Sequence, residues 1–166
     1  ARMLERARRP ILLAGHGAVI SGADKAIRYL AEKLQIPVVN TLLGKGAFPE
    51  THPLSLGMLG MHGTAYANRA VEHCDLIVSI GSRWDDRIVG NPSKFCPTAE
   101  RIHIDIDAAE FQKILPTDLC IEADAALATD QIAQLVVPND TADWLAQIEL
   151  WRQQYPLKFK KSGKLK

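Results

Sequence analysis

The chain has 166 residues, of which 47% are hydrophobic and 23% are charged, and its formal net charge at pH 7 is +1. That length suits one domain with a core of its own, and the balanced charge excludes a global field that would attract nucleic acid or a membrane surface. No apolar run reaches the roughly 20 residues that a membrane-spanning helix needs. Three cysteines without C-x-x-C spacing predict no metal site, and a reducing, cytoplasmic compartment is the default.

Short runs rich in valine and isoleucine alternate along the chain with longer segments of helical periodicity. The apolar runs predict five strands, the last weaker than the others, over residues 11–15, 37–41, 75–80, 101–106 and 119–122. The stretch between the second and third strands, residues 42–63, has five glycines, two prolines and no periodic pattern. We therefore predict a long loop there.

The helical segments begin at residues that favour helix N-termini. Ser21 is the predicted cap of a helix over 23–34, Thr64 caps a helix to about residue 73, and Asp124 caps one to about residue 136. A further helix is predicted over 140–154. Its tryptophan and aliphatic residues recur along one side, which favours packing on this domain or a neighbouring one over a cofactor site.

The two ends of the chain differ in composition from the part between them. The start is basic and amphipathic and lacks an initiator methionine, so we expect a piece of a longer protein. The last residues, KFKKSGKLK, have the composition of a solvated linker. We predict a domain over 9–137, a linker over 1–8, and a C-terminal helix and linker over 138–166.

Strands separated by helices of this length imply βαβ crossovers. We therefore predict an α/β fold in three layers, with a mostly parallel sheet of five to six strands and helices on both faces. Sheets of this kind bind ligands outside the carboxyl ends of their strands. Polar or glycine-rich segments follow the predicted strands at 15–17, 40–46, 81–91, 105–107 and 123–125.

Two glycine-containing segments suggest loops that approach a ligand closely. Gly15-His16-Gly17 follows the first strand, but the third glycine and the acidic residue of a dinucleotide fingerprint are missing, which disfavours a standard NAD site. A structural turn and a ligand contact both stay open for this segment. The segment from Leu59 to Thr64, LGMHGT, is either a helix-entry turn or a loop that lies along a flat ligand.

The most unusual charge cluster is GSRWDDRIVGN, residues 81–91, directly after the third predicted strand. Two arginines beside the carboxylates disfavour a metal. Arg83 and Arg87 instead suit bidentate contacts with phosphate, held in place by Asp85 or Asp86. Without a ligand, the same residues would form a surface ion-pair cluster worth under about 1 kcal/mol per pair.

The end of the fourth strand and the remaining motifs add little chemistry. Asp105 and Asp107 would accept hydrogen bonds from ribose hydroxyls or adenine, or cap the next helical turn. The chain has no G-x-S-x-G elbow, no P-loop and no evident Ser/His/Asp set. We therefore predict no catalytic residues and no metal site in this chain.

Three segments together resemble the central domain of the catalytic subunit of acetohydroxyacid synthase (acetolactate synthase), a thiamine-diphosphate-dependent enzyme. They are RPILLAGHGA, the stretch from IPVVNTLLGKGAF through LGMHGTAYAN to GSRWDDRIVGN, and RIHIDID. The resemblance covers about residues 9–136 and implies a dinucleotide-binding-like topology of the DHS type, used for NAD or FAD. It implies a parent that condenses two 2-ketoacids in branched-chain amino-acid biosynthesis, with thiamine diphosphate, Mg²⁺ and the catalytic groups in flanking domains.

In that family the central domain holds an extended FAD with a structural role. The resemblance implies contacts at Gly15, His16, Gly17, Thr41, Leu42, Leu59, Gly60, Met61, His62, Gly81, Ser82, Arg83, Asp85, Arg87, Ile88, Asp105, Ile106, Glu110, Ala123, Asp124 and Ala125. It also implies flanking domains of the same chain as partners, a homodimeric or homotetrameric parent, and in some cases a regulatory subunit. This chain alone would be catalytically inactive.

Two other hypotheses compete with an FAD-binding domain. One is a cofactor-free central domain of a related thiamine-diphosphate enzyme that only holds its neighbours in place. The arginine pair and the loop at Gly60–Gly63 favour FAD over this alternative, because a bare scaffold needs neither. The other is a separate NAD-binding enzyme of sirtuin-like architecture, which the absence of catalytic motifs disfavours.

Overall fold

A computed structural model describes residues 1–158, and six parallel strands form its single sheet. The strands are Pro10–Ala14 (β1), Val38–Asn40 (β2), Ser55–Met58 (β3), Leu76–Ile80 (β4), Glu100–Asp105 (β5) and Leu119–Glu122 (β6). Their order across the sheet is β3-β2-β1-β4-β5-β6. The predicted parallel α/β sheet is confirmed.

Seven α-helices connect or flank these strands within the described residues. They are Arg2–Arg6 (α1), His16–Ile20 (α2), Asp24–Leu34 (α3), Ala65–His73 (α4), Asp86–Val89 (α5), Ala125–Leu135 (α6) and Ala142–Gln154 (α7). A short 3₁₀ turn follows β5 at Ala108–Glu110. No helix among residues 1–158 combines the length and the apolar composition that crossing a membrane requires.

The sheet is covered on both faces, which gives the three predicted layers. In β1, Leu12 packs in a core with α3 and α6, whereas Ile11 and Leu13 pack in a second core with α4 and α7. All five residues of β1 are buried, as expected for a central strand of a parallel sheet. Both cores are built from residues of this one chain.

Two of the predicted helix caps are confirmed. The Thr64 hydroxyl accepts a hydrogen bond from the Ala67 amide (3.1 Å) at the start of α4. The Asp124 carboxylate accepts from the amides of Ala126 and Leu127 (3.0 Å each) at the start of α6. Each side chain satisfies amide groups that the first helical turn leaves without an intrahelical partner.

Ser21 does not cap the start of the helix over 23–34, and this prediction was wrong. The Gly-His-Gly segment begins an additional helix, α2, and Ser21 stands at the end of that helix with its hydroxyl 3.4 Å from the Ala18 carbonyl. The next helix begins at Asp24 after Ala23, whose side chain has no capping group. The sequence did not predict α2, because the segment contains two glycines and glycine is unfavourable inside helices.

The predicted loop over 42–63 contains a strand that sequence periodicity missed. Ser55–Met58 pairs in parallel with β2 and forms one edge of the sheet. The strand is four residues long, and Gly57 within it has φ +73°, where the pairing register also shifts. A short edge strand interrupted by glycine has little of the alternation that marks a strand in sequence.

The C-terminal helix packs on this domain, as the sequence favoured. The Trp144 indole donates to the Pro10 carbonyl (3.1 Å), and Trp144 and Ile148 are buried in the core that contains α4. Near the other end of the chain, part of the segment predicted as a linker forms the helix α1, and Leu4 of that helix is buried. The linker predicted at the C-terminus lies mostly outside the described residues, and the domain boundaries stay predictions.

Candidate functional site

The order of connection along the sheet reverses between β1 and β4. Strand β1 pairs with β2 on one side and with β4 on the other. The Gly15 amide donates to the Ile80 carbonyl, and the Gly17 amide donates to the Gly81 carbonyl (2.9 Å each). In open α/β sheets, a crevice for ligands forms at this point, outside the carboxyl ends of the strands.

Three glycines at this point pack backbone against backbone. A Cβ atom at Gly15 would lie 2.2 Å from the Gly81 carbonyl oxygen, and one at Gly17 would lie 2.8 Å from the Gly81 Cα. Gly81 has φ +62°, and its Cβ would meet the Ala18 amide nitrogen at 2.6 Å. Of the two readings left open for Gly15–Gly17, the structural turn has a direct physical basis here.

A groove of about 390 Å³ lies above these glycines. It is lined by His16, Gly17, Ile20, Thr41, Leu42, Leu43, Gly81, Ser82, Arg83, Asp85, Arg87, Ile88 and Asp105. Sequence reasoning missed Ile20 and Leu43. Ile20 was missed because the helix α2, which it ends, was not predicted. In the structure its side chain is 74% exposed, which is unusual for isoleucine.

One wall of the groove is apolar. The Thr41 hydroxyl accepts from the Gly44 amide (2.9 Å) and forms a tight turn after β2. That turn leaves the Leu42 and Leu43 side chains 67% and 60% exposed. Together with Ile20 they form an apolar surface beside the polar groups of the loop after β4.

The carboxylates hold the arginines only in part: Asp86 forms an exposed ion pair with Arg87, whereas Asp85 contacts the Arg87 backbone and not a guanidinium. Asp85 accepts from the backbone amide of Arg87 (3.1 Å) and so caps the short helix α5. Asp86 lies 3.9 Å from the Arg87 guanidinium, and both side chains are at least 75% exposed, so the pair contributes little. Arg83 forms no ion pair among the described residues. Its guanidinium is exposed at the groove.

Beneath the loop, a buried histidine holds its backbone. His103 of β5 donates from Nε2 to the Ser82 carbonyl (2.7 Å), and its ring packs edge-on against Trp84 and Phe111. Burial lowers the pKa of His103, and the Ser82 carbonyl and the Asp105 carboxylate oppose that shift. The histidine is therefore a neutral structural support for the loop and not an exposed acid or base.

Trp84 fixes the loop from the same side. It is 2% exposed, has φ +58° and packs edge-on against Phe95 and His103, each with ring centroids 5.6 Å apart. A tryptophan with positive φ is uncommon and costs free energy unless packing enforces it. The burial of Trp84 between the exposed residues Arg83 and Asp86 orients both of them outward.

The LGMHGT segment borders this loop. Gly60 has φ +93°, and a Cβ there would lie 2.4 Å from the Arg87 carbonyl oxygen. Asn68 donates to the Gly60 carbonyl (3.0 Å) and accepts from its amide (2.8 Å), while the Met61 amide donates to the Arg87 carbonyl (3.1 Å). Met61 and His62 are exposed and Leu59 is buried, so the first two are available to a ligand.

The remaining predicted contacts lie at the same edge of the sheet but do not line the groove. Ile106 is exposed after β5, Glu110 pairs with Lys113 (2.9 Å), and Asp124 is occupied as a helix cap. Residues 123–125 follow β6, and the Ala123 amide donates to the Asp105 carbonyl (3.0 Å). Asp107 caps the 3₁₀ turn through the Ala109 amide (2.9 Å), one of the two roles considered for it.

A larger cleft, of about 580 Å³, lies at the opposite end of β1, where Arg8, Arg9 and Trp144 contribute to its lining. No predicted site residue lies there. Residues 1–158 also contain no group of three or more histidine, cysteine or acidic side chains positioned to hold a metal ion. The groove therefore remains the candidate site, because it lies where α/β sheets bind ligands and is lined by exposed charged and apolar side chains.

Comparison with known families identifies the type of domain. The model described as "Thiamine pyrophosphate enzyme, central domain" matches residues 1–132. The chain belongs to this family. The match includes all six strands of the central domain and the groove between β1 and β4.

This central domain is similar to segments of several acetolactate synthase large subunits. It is 44% identical to that of Parasynechococcus marenigrum (strain WH8102), over 93% of this chain and 26% of the relative. The corresponding figures are 46%, 95% and 27% for the probable large subunit of Methanocaldococcus jannaschii, and 39%, 94% and 28% for isozyme 3 of Escherichia coli (strain K12). The chain thus spans a little over a quarter of the length of these relatives.

Proposed function

We propose that this central domain belongs to an acetolactate synthase and binds FAD in the groove between β1 and β4. The single observation that carries the FAD assignment is the exposed Arg83 at the topological switch point, in a groove that is also lined by exposed apolar side chains. The strand order β3-β2-β1-β4-β5-β6 supports it, because doubly wound sheets of this order bind dinucleotides at that point. The similarity to acetolactate synthase large subunits supports the parent activity.

The residues present fit the chemistry of a flavin dinucleotide. Arg83 and Arg87 supply fork-shaped donors for a pyrophosphate, and in the described part of the chain neither forms a hydrogen bond with a carboxylate. Leu42, Leu43 and Ile20 offer the apolar surface that a flat ring system needs. The groove volume of about 390 Å³ lies within the roughly 300–1,000 Å³ of small-molecule sites.

The Asp105 carboxylate lines the same groove and is suited to a ribose or ribityl hydroxyl. One of its oxygens already accepts from the Asp107 amide (3.0 Å), which fixes its orientation. Its other oxygen lies 3.8 Å from His103 Nε2, beyond a hydrogen bond, so it keeps accepting capacity. Under this proposal the domain positions FAD as a structural element and performs no chemistry on it.

The proposed parent condenses pyruvate with pyruvate or 2-ketobutyrate. Thiamine diphosphate, with Mg²⁺, would supply the decarboxylation and carbon–carbon bond formation in the flanking domains. Those domains are the proposed partners of this one, in a cytoplasmic homodimer or homotetramer that a regulatory subunit can join. The isolated domain is then expected to be inactive.

A titration of the purified protein with FAD, followed by flavin fluorescence, tests the assignment. We expect saturable binding that weakens with added salt, because part of the affinity comes from charge-assisted contacts with phosphate. Riboflavin, which lacks the pyrophosphate, is the matched control and should bind more weakly. Absence of saturable binding up to millimolar FAD would favour the cofactor-free scaffold instead.

A further inference from the structure

The cleft of about 580 Å³ at the other end of β1 takes no part in the proposed FAD site. We call it the tryptophan cleft. It is lined by side chains from the stretch before β1, the end of α4, and α7 with the residues just before it: Arg8, Arg9, His73, Asp140, Thr141, Asp143, Trp144, Gln147 and Trp151. Its volume lies within the roughly 300–1,000 Å³ of small-molecule sites.

Hydrogen bonds within the domain hold the two sides of the tryptophan cleft together. The Asp75 carboxylate accepts from the backbone amides of Arg8 and Arg9 at 2.8 Å each, and the Asp75 amide donates to the Arg9 carbonyl (3.2 Å). On the other side, the indole of Trp144 donates to the Pro10 carbonyl (3.1 Å), which ties α7 to the start of β1. The domain itself therefore fixes the shape of this cleft.

Charged side chains of both signs line the cleft without pairing with each other. Arg8 and Arg9 are exposed, and within residues 1–158 their guanidiniums form no ion pair and no hydrogen bond. Asp143 is exposed and also has no ion pair in that part of the chain, while one oxygen of Asp140 accepts from the Ala142 amide (3.0 Å). Two guanidiniums and two carboxylates are thus available to a ligand in one cleft.

The third component of the cleft is an aromatic surface. Trp144 is buried, and its ring packs edge-on against Trp151 with the centroids 5.7 Å apart. The exposed His73 ring lies 5.3 Å from the Trp151 ring on the other side, and its Nδ1 lies 2.9 Å from the Arg69 carbonyl. Trp151 is half-buried, so part of its indole is accessible to a flat ring in an offset or edge-on arrangement.

The combination of both charge signs distinguishes between classes of ligand. The arginines would attract a simple anion such as phosphate, but the two carboxylates in the same cleft would repel it, and the reverse holds for a simple cation. A zwitterion has a partner for each of its charges. Because an aromatic surface adjoins the charged groups, the cleft is best matched by a zwitterion that also has an aromatic ring.

We propose that the tryptophan cleft binds a free aromatic amino acid. The carboxylate of the ligand accepts hydrogen bonds from Arg8 or Arg9, and its ammonium group donates to Asp140 or Asp143. Its ring packs against Trp151. No residue of this cleft lines the groove between β1 and β4, so failure of the FAD proposal leaves this one intact.

Isothermal titration calorimetry of the chain with L-phenylalanine tests the proposal, and three analogues each remove one feature of the ligand. Phenylpropionate lacks the ammonium group, phenylethylamine lacks the carboxylate and L-alanine lacks the ring. We expect saturable binding of phenylalanine and binding of each analogue that is weaker by about tenfold or more, because each loses a charge-assisted hydrogen bond or the aromatic packing. Absence of saturable phenylalanine binding up to millimolar concentration, or an analogue that binds as tightly, would overturn the proposal.

The double variant Arg8→Gln, Arg9→Gln tests the contacts with the carboxylate. Asp75 contacts the backbone amides of these residues, which glutamine retains, so the variant keeps the hydrogen bonds that shape the cleft. Its affinity for phenylalanine should fall by about 10- to 100-fold, the usual effect of losing a hydrogen bond to a charged group. Arg2→Gln is the matched control, since Arg2 is exposed nearby in sequence but does not line the cleft. Circular dichroism verifies folding, and an unchanged affinity in the folded double variant would contradict the assignment.

The indole N–H signals in NMR spectra locate the ligand, because the chain has three tryptophans. Phenylalanine should shift the signals of Trp144 and Trp151 and leave that of Trp84, which is buried beneath the loop after β4, unchanged. A shift confined to Trp84 would place the amino acid near the groove and refute the proposal.

Discussion

The floor and the rim of the groove differ in how their residues contact the rest of the domain. The floor, defined as Gly15, Gly17, Gly81, Ser82 and His103, is packed and hydrogen-bonded within the domain. The rim, which contains His16, Leu42, Leu43, Arg83 and Arg87, is exposed. The rim side chains contribute little to the stability of the fold, although the loops that carry them adjoin the packed residues of the floor.

This difference predicts that the floor residues determine the stability of the domain and the rim residues determine its affinity for a ligand. A floor residue acts through backbone packing or a buried hydrogen bond, so its replacement should change the free energy of unfolding. A rim residue has no such contacts, so its replacement should change ligand affinity alone. The expected effects below run from the largest to the smallest and use matched pairs of positions to test this separation.

Gly81→Ala should produce the largest effect, a loss of about 2–5 kcal/mol in the free energy of unfolding. The positive φ costs about 1–2 kcal/mol for a residue with a Cβ, and the contact with the Ala18 amide at 2.6 Å adds about 1–3 kcal/mol of overpacking. Gly22→Ala is the control, because Gly22 also has positive φ (+67°) but has open space around it. Urea denaturation that gave equal losses would contradict the role of packing at the floor.

Arg83→Ala should weaken FAD binding by about 1–3 kcal/mol, the usual contribution of a hydrogen bond to a charged group. Its free energy of unfolding should stay within about 0.5 kcal/mol of the unmodified protein, as for surface positions in general. Arg28→Ala is the control for a general loss of positive charge, since within residues 1–158 the Arg28 side chain pairs only with Glu32 on α3. Equal affinities for all three proteins would remove Arg83 from the site.

His103 should make the stability of the floor depend on pH. Because burial lowers the pKa of His103 in the folded state, the unfolded chain binds a proton more readily. Stability is therefore retained above the unfolded pKa of about 6.5 and falls as the pH decreases from that value towards the lower folded pKa. In His103→Gln, which keeps an N–H donor, the loss between pH 7.5 and pH 5 should be smaller, as measured by thermal unfolding. An identical loss would show that His103 is not responsible.

Much of the site could be predicted because parallel strands align their carboxyl ends. His16, Thr41, Arg83 and Asp105 are far apart in sequence, and a sequence-level rule about strand ends was sufficient to group them. The resemblance of the motifs to a known family added the proposal that the ligand is FAD. Both sources of information concern strand ends and motifs, and neither describes side-chain orientation.

The missed features depend on three-dimensional contacts that periodicity does not encode. Asp85 caps a four-residue helix, too short to predict, and so it binds an amide and not a guanidinium. Ile20 was unrecognised because α2 begins in a Gly-His-Gly segment. Trp84 is buried while Arg83 and Asp86 near it are exposed, but a single tryptophan among charged residues does not indicate in sequence that it is buried.

The position of FAD is the most direct test of the account, and hydrogen–deuterium exchange measured with and without FAD would locate it. We expect slower exchange for amides in residues 81–88 and 42–44, and no change around Arg8, Arg9 and Trp144 in the larger cleft at the other end of β1. Protection confined to that cleft, or saturable FAD binding without protection of residues 81–88, would contradict the assignment of the groove.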